Sequence, residues 1–183
     1  MSYTPMGDLG QQGLFDVTRT LLQQPDLAAL SETLARLAKQ SALADSAAII
    51  LLQPGNLRAG YHATREAGKP LAYEDDNLLA NGPVRRLLSR PDALHCSYSE
   101  FSEAWPQLAK SELYPPFGHY CLLPLAAEGR IFGGCEFIRH NDQPWTEKEY
   151  QRLHTFTQIV AVVTEQIQSR VSNNVDYDLL CRE

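Results

Sequence analysis

Leu14, Val17 and Leu21, with Phe15 and Leu22 beside them, recur at helical spacing and predict an amphipathic helix over 9–24. Gln23-Gln24-Pro25-Asp26 interrupts it. Asp26 is placed to cap a second helix, whose stripe Leu27, Leu30, Leu34, Leu37 repeats by threes and fours. Ala47 to Gln53 is short, apolar and β-branched at Ile49 and Ile50, which predicts a strand. Pro54-Gly55-Asn56 supplies turn chemistry, and Leu57 to Thr64 returns as the partner of a hairpin. Arg65 to Asp76 is charged, carries Gly68 and Pro70, and reads as a loop.

Gly82-Pro83 opens a short helix through Arg90, since proline in the first helical turn forfeits no hydrogen bond. Pro91-Asp92 ends it, and Ala93 to Cys96 reads as a short strand. Ser97 and Glu100 have the spacing of a capping box for a brief helix to Trp105, stopped by Pro106; Gln107 to Pro116 reads as loop. His119 to Leu125 and Ile131 to Arg139 are apolar strands around a turn at Glu128-Gly129, and Gly133-Gly134 permits close backbone approach or a bulge. Thr146 and Glu149 repeat the capping-box spacing and open a long helix over 146–171. Its stripe Leu153, Phe156, Val160, Val163, Ile167 is flanked by a second apolar edge, Ile159 and Val162. Two readings of that double edge stand: one broad buried face, or a parallel helix pair between two copies of the chain.

The chain has 183 residues, 44% hydrophobic and 21% charged, and fits one globular domain of ordinary core size. No apolar run approaches the roughly 20 residues of a membrane span. Met1-Ser2-Tyr3-Thr4-Pro5 opens no basic-then-apolar signal, so the expected compartment is the cytoplasm. A formal net charge of −6 disfavours nucleic acid as a partner. Arginine outnumbers lysine 12 to 4, which leaves room for an anion held in a bidentate fork. Cys96, Cys121, Cys135 and Cys181 lie far apart without a C-x-x-C pair, and the histidines are dispersed, so neither a disulfide scaffold nor a metal site is expected.

The order of elements, two helices, strands interleaved with short helices, a hairpin and a long helix, predicts an α+β fold. An antiparallel sheet would carry the N- and C-terminal helices on one face and a small pocket under short helices and loops on the other. This order, with Pro124-Leu125, Gly129 and Gly133-Gly134 in the closing hairpin, resembles the GAF family of small-molecule sensor domains. Leu14 to Gln24, Phe117 to Leu123, Ile131 to Arg139 and Phe156 to Arg170 resemble the N-terminal region of formate-responsive activators of sigma-54 promoters. The resemblance implies a sensor domain over 1–171, with 172–183 starting a linker to the next domain of a longer parent. It implies formate as ligand; the two apolar edges of the C-terminal helix make a second copy the expected partner there, and no cofactor is expected. DNA, ATP and sigma-54 RNA polymerase would be met only through parent domains; no G-x-x-x-x-G-K-[ST] phosphate loop occurs here.

Formate has two acceptor oxygens and one charge, so a selective site needs a charged fork or converging donors in a small, partly dry pocket. Arg85 and Arg86 fall in the first turns of the short helix that would roof it. His119, Cys121, Cys135 and Arg139 are the polar interruptions of the closing hairpin. Strand alternation separates His119 and Cys121 from Tyr120. A turn symmetric about Glu128 would set Cys121 opposite Cys135, and a two-residue turn at Glu128-Gly129 would set it opposite Glu136. Two other functions stand beside the formate sensor. One is a ligand-free module that holds a dimer. The other is a cysteine-based reductase of free methionine sulfoxide, as some GAF domains are, using Cys96, Cys121 and Cys135.

Overall fold

Strand pairing is antiparallel throughout. The computed structural model describes residues 11–52, 59–64, 70–76 and 80–180. In chain order these form α1 (Gln11–Leu22), α2 (Leu27–Gln40), β1 (Ser46–Leu52), β2 (Ala59–Thr64), β3 (Pro70–Asp76) and α3 (Pro83–Ser89). Then follow β4 (Leu94–Ser97), α4 (Tyr98–Ala104), α5 (Pro106–Ala109), β5 (His119–Ala127), β6 (Arg130–Arg139) and α6 (Glu147–Leu180). One six-stranded sheet runs β3-β2-β1-β6-β5-β4, which is the expected α+β class.

Local chemistry sets the helix starts. The Asp26 carboxylate accepts from the Ala29 N–H at 2.8 Å at the head of α2. Both halves of the Ser97/Glu100 capping box form before α4. Thr146 and Glu149 exchange the same reciprocal bonds before α6. Pro106 does more than stop α4: as a first-turn proline it starts the one-turn α5, where the sequence suggested only loop. Pro70 to Asp76 is a strand rather than a loop. It sits at the sheet edge, where a leading proline and acidic residues are tolerated because one side of the ladder is open. The turn at Pro54-Gly55-Asn56 lies outside the described residues. Helix α6 runs on to Leu180, past the boundary at 171; Ser172, Asn173 and Asn174 are only weakly unfavourable in a helix, and neither glycine nor proline follows to stop it.

The closing hairpin fixes which side chains face where. Glu128 and Gly129 both have positive φ, 51° and 76°, as a two-residue hairpin turn of the favoured twist requires. Counting from that turn would pair Cys121 with Glu136. A bulge between Leu125 and Ala126 shifts the register by one, so Cys121 faces Phe137 and Leu122 faces Glu136. Neither register considered from the sequence is the one formed. Gly133 is the point of close approach: a Cβ there would lie 2.2 Å from the Ile50 carbonyl oxygen of β1.

Two apolar layers follow. On one face α1, α2 and α6 cover Ile49, Cys121, Leu123, Cys135 and Phe137, and the α6 stripe Leu153, Phe156, Val160, Val163, Ile167 is entirely buried there. Of the second α6 edge, Ile159 is half-buried and Val162 is 51% exposed. On the other face the short helices α3, α4 and α5 roof Ala48, Ile50, Tyr61, Tyr120, Leu122 and Ile138.

Candidate functional site

Among the described residues the roofed face holds one carboxyl group in an apolar setting. Glu136 points from β6 into this layer and is 1% exposed. The Tyr61 hydroxyl, from β2, donates to its Oε1 at 2.8 Å. The Tyr114 hydroxyl, from the segment before β5, donates to its Oε2 at 2.8 Å. Tyr120, next on β5, brings a third buried hydroxyl to the group: it feels the Glu136 charge and, with the other two, helps to hold back the rise of that carboxyl. Phe101 of α4 closes the cluster, with its ring centroid 5.0 Å from that of Tyr114 and 5.0 Å from that of Tyr120. The Tyr61 and Tyr114 rings meet edge to face at 6.3 Å.

Burial pushes the Glu136 carboxyl above the ordinary carboxylate range, and the tyrosine hydroxyls, Tyr114 first, hold part of that rise back. No arginine or lysine among the described residues contributes to it. Burial, then the Glu136 charge, raises the Tyr114 and Tyr120 hydroxyls well above their usual range, so both remain protonated donors. A carboxyl whose folded pKa is raised binds a proton that the unfolded chain releases. Its contribution to stability is whole below the ordinary pKa and is lost as pH rises through the raised value. Glu136→Gln is therefore expected to gain on the natural chain from about pH 4 upward, by about 1.4 kcal/mol for each pH unit of the rise. Urea unfolding of both proteins across pH checks this; parallel curves would show that Glu136 titrates normally.

The six residues singled out from the sequence do not converge. Arg85 and Arg86 sit on the roof helix α3 with exposed side chains, and Arg85 Nη1 donates to Asn81 Oδ1 at 3.5 Å. Cys121 and Cys135 face the helical layer, where the bulge and strand alternation turn them away from the roofed side. Burial raises both thiols far above the usual range, and it pushes Cys96 up to about 12. Arg139 is 6% exposed and works as a clamp. Its Nε donates to the Leu43 carbonyl at 3.0 Å, its Nη2 to the Ala42 carbonyl at 3.3 Å, and it pairs with Glu149. His119 is half-buried beside an open groove of about 550 Å³ between β4, β5 and the start of α6, shared with His95, Trp145 and Tyr150. Among the described residues no group of three His, Cys, Asp or Glu is arranged to hold a metal ion.

Glu136 and its tyrosines were not readable as a site, because Tyr61 lies 75 residues from Glu136 and Tyr114 lies 22. The available signal was a lone carboxyl in the apolar strand Gly133 to Ile138, which a buried strand carries only with partners.

An antiparallel sheet with long helices on one face and short helices roofing the other is the fold of GAF domains. The chain superposes on the crystal structure of the GAF domain from Acinetobacter phosphoenolpyruvate-protein phosphotransferase with a TM-score of 0.66 and 14% identity, covering 90% of this chain and 97% of that one. The likeness in sequence is to a different protein. Over its whole length the chain is 76% identical to the formate hydrogenlyase transcriptional activator of Salmonella typhimurium strain SL1344, and 72% identical to that of Escherichia coli strain K12. It spans 26% of the length of each of these relatives. No protein-family model matches the sequence. Among the described residues no helix is long and apolar enough to cross a membrane.

Proposed function

We propose that the chain is the N-terminal regulatory GAF domain of a sigma-54-dependent activator of formate hydrogenlyase genes, and that it senses formate in the cytoplasm without catalysing a reaction. The observation that carries this reading is the 76% identity along the whole chain to an activator named for formate hydrogenlyase. Formate would bind on the roofed face, and the exposed Arg85 and Arg86 on α3 would draw the anion toward it. Binding shifts the population of two conformations of the domain, and α6, which lies against the sheet and runs on to Leu180, carries the change onward. A second copy would associate along α6, where Val162 is 51% exposed, beside α1 with Phe15 62% exposed. ATP, promoter DNA and sigma-54 polymerase would be engaged by the remainder of the parent protein. The raised, buried thiols of Cys121 and Cys135 weigh against a cysteine-based reductase.

A ligand of three heavy atoms has a ceiling of about −4.5 kcal/mol, a dissociation constant on the order of a millimolar. Formate at about a hundred times that constant stabilises the native chain by about 2.7 kcal/mol, a rise in Tm of about 5–10 °C. Thermal unfolding against sodium formate, with sodium acetate and chloride at equal ionic strength, is the test. A saturable rise with formate alone supports the sensor. Identical curves for the three salts support the ligand-free dimerisation module, a reading favoured by the closure of the roof over Glu136.

A further inference from the structure

An open groove of about 550 Å³ lies where β4 and β5 meet the head of α6, a size in the range of small-molecule sites. Asp92 and His95 reach it from the β4 side, His119 from β5, and Trp145, Glu147 and Tyr150 from the entry and first turn of α6. Three of these rings form its wall. The His95 centroid lies 4.8 Å from that of Tyr150 and 6.4 Å from that of Trp145, with the rings tilted by 57° and 58°, which makes a concave corner rather than a flat stack. Trp145 and Tyr150 are half-buried, so part of each ring faces the groove. We infer that this corner is a binding site for a small organic cation whose charge is spread over alkyl groups, a quaternary ammonium, seated on the Trp145 and Tyr150 rings between Asp92 and Glu147. The inference does not depend on the formate reading; it adds a second ligand site, at the root of the helix that carries the signal.

Charge and solvation select the class. Among the described residues no lysine or arginine lines the groove, while Asp92 and Glu147 bring two carboxylates to it. Glu147 and Tyr150 stand at i and i+3 on one face of α6, and Glu147 accepts from the Gln151 amide at 2.8 Å, a group with no charge to cancel its own. Burial raises the Tyr150 hydroxyl, and Glu147 and Asp92 add to the rise, so both carboxylates act on the same ring. Partial burial lowers the His95 imidazole, which favours its neutral form and keeps a further positive charge out of the corner. The N-terminus of α6 would favour an anion, but the Thr146/Glu149 capping box already closes that first turn. An aromatic face attracts a cation through its quadrupole, and Trp145 already does so for the Arg139 guanidinium, which lies over the ring at 5.0 Å. A primary ammonium is strongly hydrated and gives up that water at a cost, whereas a quaternary ammonium has no N–H to satisfy and offers methyl groups to the rings. A cation so placed touches β4 and the first turn of α6 together.

The test titrates the 183-residue chain with choline chloride at neutral pH and constant ionic strength, following the indole N–H signals of its two tryptophans by proton–nitrogen NMR. Trp105, which packs on Phe101 in the roofed layer, is the internal control. The expected result is a saturable shift of the Trp145 signal, half-complete in the millimolar range, with the Trp105 signal in place. Sodium chloride and neohexyl alcohol, the uncharged carbon analogue of choline, give no saturable shift. Asp92→Asn combined with Glu147→Gln changes two exposed side chains, keeps the fold and weakens choline binding at least about fivefold. Tyr150→Phe keeps the ring and binds as the natural chain does, whereas Tyr150→Leu keeps apolar bulk and binds about three- to tenfold more weakly. The inference is overturned if Trp145 shows no saturable shift with choline, or shifts equally with neohexyl alcohol. It is equally overturned if the Asp92/Glu147 double variant or Tyr150→Leu binds choline as the natural chain does. Each of these outcomes leaves formate sensing on the roofed face untouched.

Discussion

Replacing Arg139 by alanine is expected to lower the unfolding free energy by about 3–5 kcal/mol, and Tm by about 6–20 °C. The guanidinium joins three parts of the chain. It donates to Ala42 and Leu43, just after α2, from the end of β6, and it pairs with Glu149 in the first turn of α6. It also lies over the Trp145 ring at 5.0 Å, and that indole N–H donates at 2.6 Å to the Leu43 carbonyl that Arg139 also holds. Ala42 takes a positive φ of 53°, a conformation costly for alanine, which the surrounding bonds maintain. Truncation takes the Arg139 donors from the Ala42 and Pro144 carbonyls and leaves Glu149 without its cation. Burial acts first on the Glu149 carboxyl to raise it; the bonds from Arg139 and Thr146 outweigh this and hold it below the usual range. That pairing stabilises the fold above the ordinary carboxylate pKa and is lost as pH falls through the depressed one. Glu149→Ala is expected to cost less than Arg139→Ala, because Glu149 is 28% exposed and water replaces part of the pairing. Urea and thermal unfolding at neutral pH measure both; a loss under about 1 kcal/mol for Arg139→Ala would mean that the bonds it makes are supplied by solvent instead.

What was legible in the sequence is what short-range chemistry decides. The α6 stripe, the capping boxes at Ser97 and Thr146, the Asp26 cap and the turn at Glu128-Gly129 are each settled within a few residues. The layer assignment followed, because long apolar stripes at both ends must cover one sheet face. Arg139 illustrates what was not legible. At the end of a strand an arginine normally meets solvent, and only the return of residues 96 positions earlier makes it a clamp. The hairpin register failed for a similar reason: the bulge at Leu125/Ala126 accommodates packing of β6 between β1 and β5 and leaves no mark in the turn. That single shift sets Cys121 on the same face as Cys135, in the helical layer, while Arg85 and Arg86 sit on the roof helix at the opposite face, so the residues chosen for their chemistry do not meet.

Phe101→Ala should show how the roof and the carboxyl depend on each other. Phe101 is 0% exposed, and its ring lies 5.0 Å from Tyr114, 5.0 Å from Tyr120 and 5.3 Å from Phe117, centroid to centroid. Truncating a phenylalanine so enclosed costs about 3–5 kcal/mol in lost burial and residual cavity, a fall in Tm of about 6–20 °C. An apolar cavity stays dry, but this one would be bordered by the hydroxyls of Tyr114 and Tyr120, which are the partners a trapped water needs. Hydration relieves the burial that raises Glu136, and the decline of stability with rising pH then weakens. The cost of Phe101→Ala is accordingly expected to be smaller at pH 8 than at pH 5, while Phe101→Leu, which fills most of the space, recovers the greater part of the loss at both. Urea unfolding at the two pH values separates the contributions. An equal cost at both would place the new cavity out of reach of the carboxyl, with the tyrosine rings as a sealed wall between them.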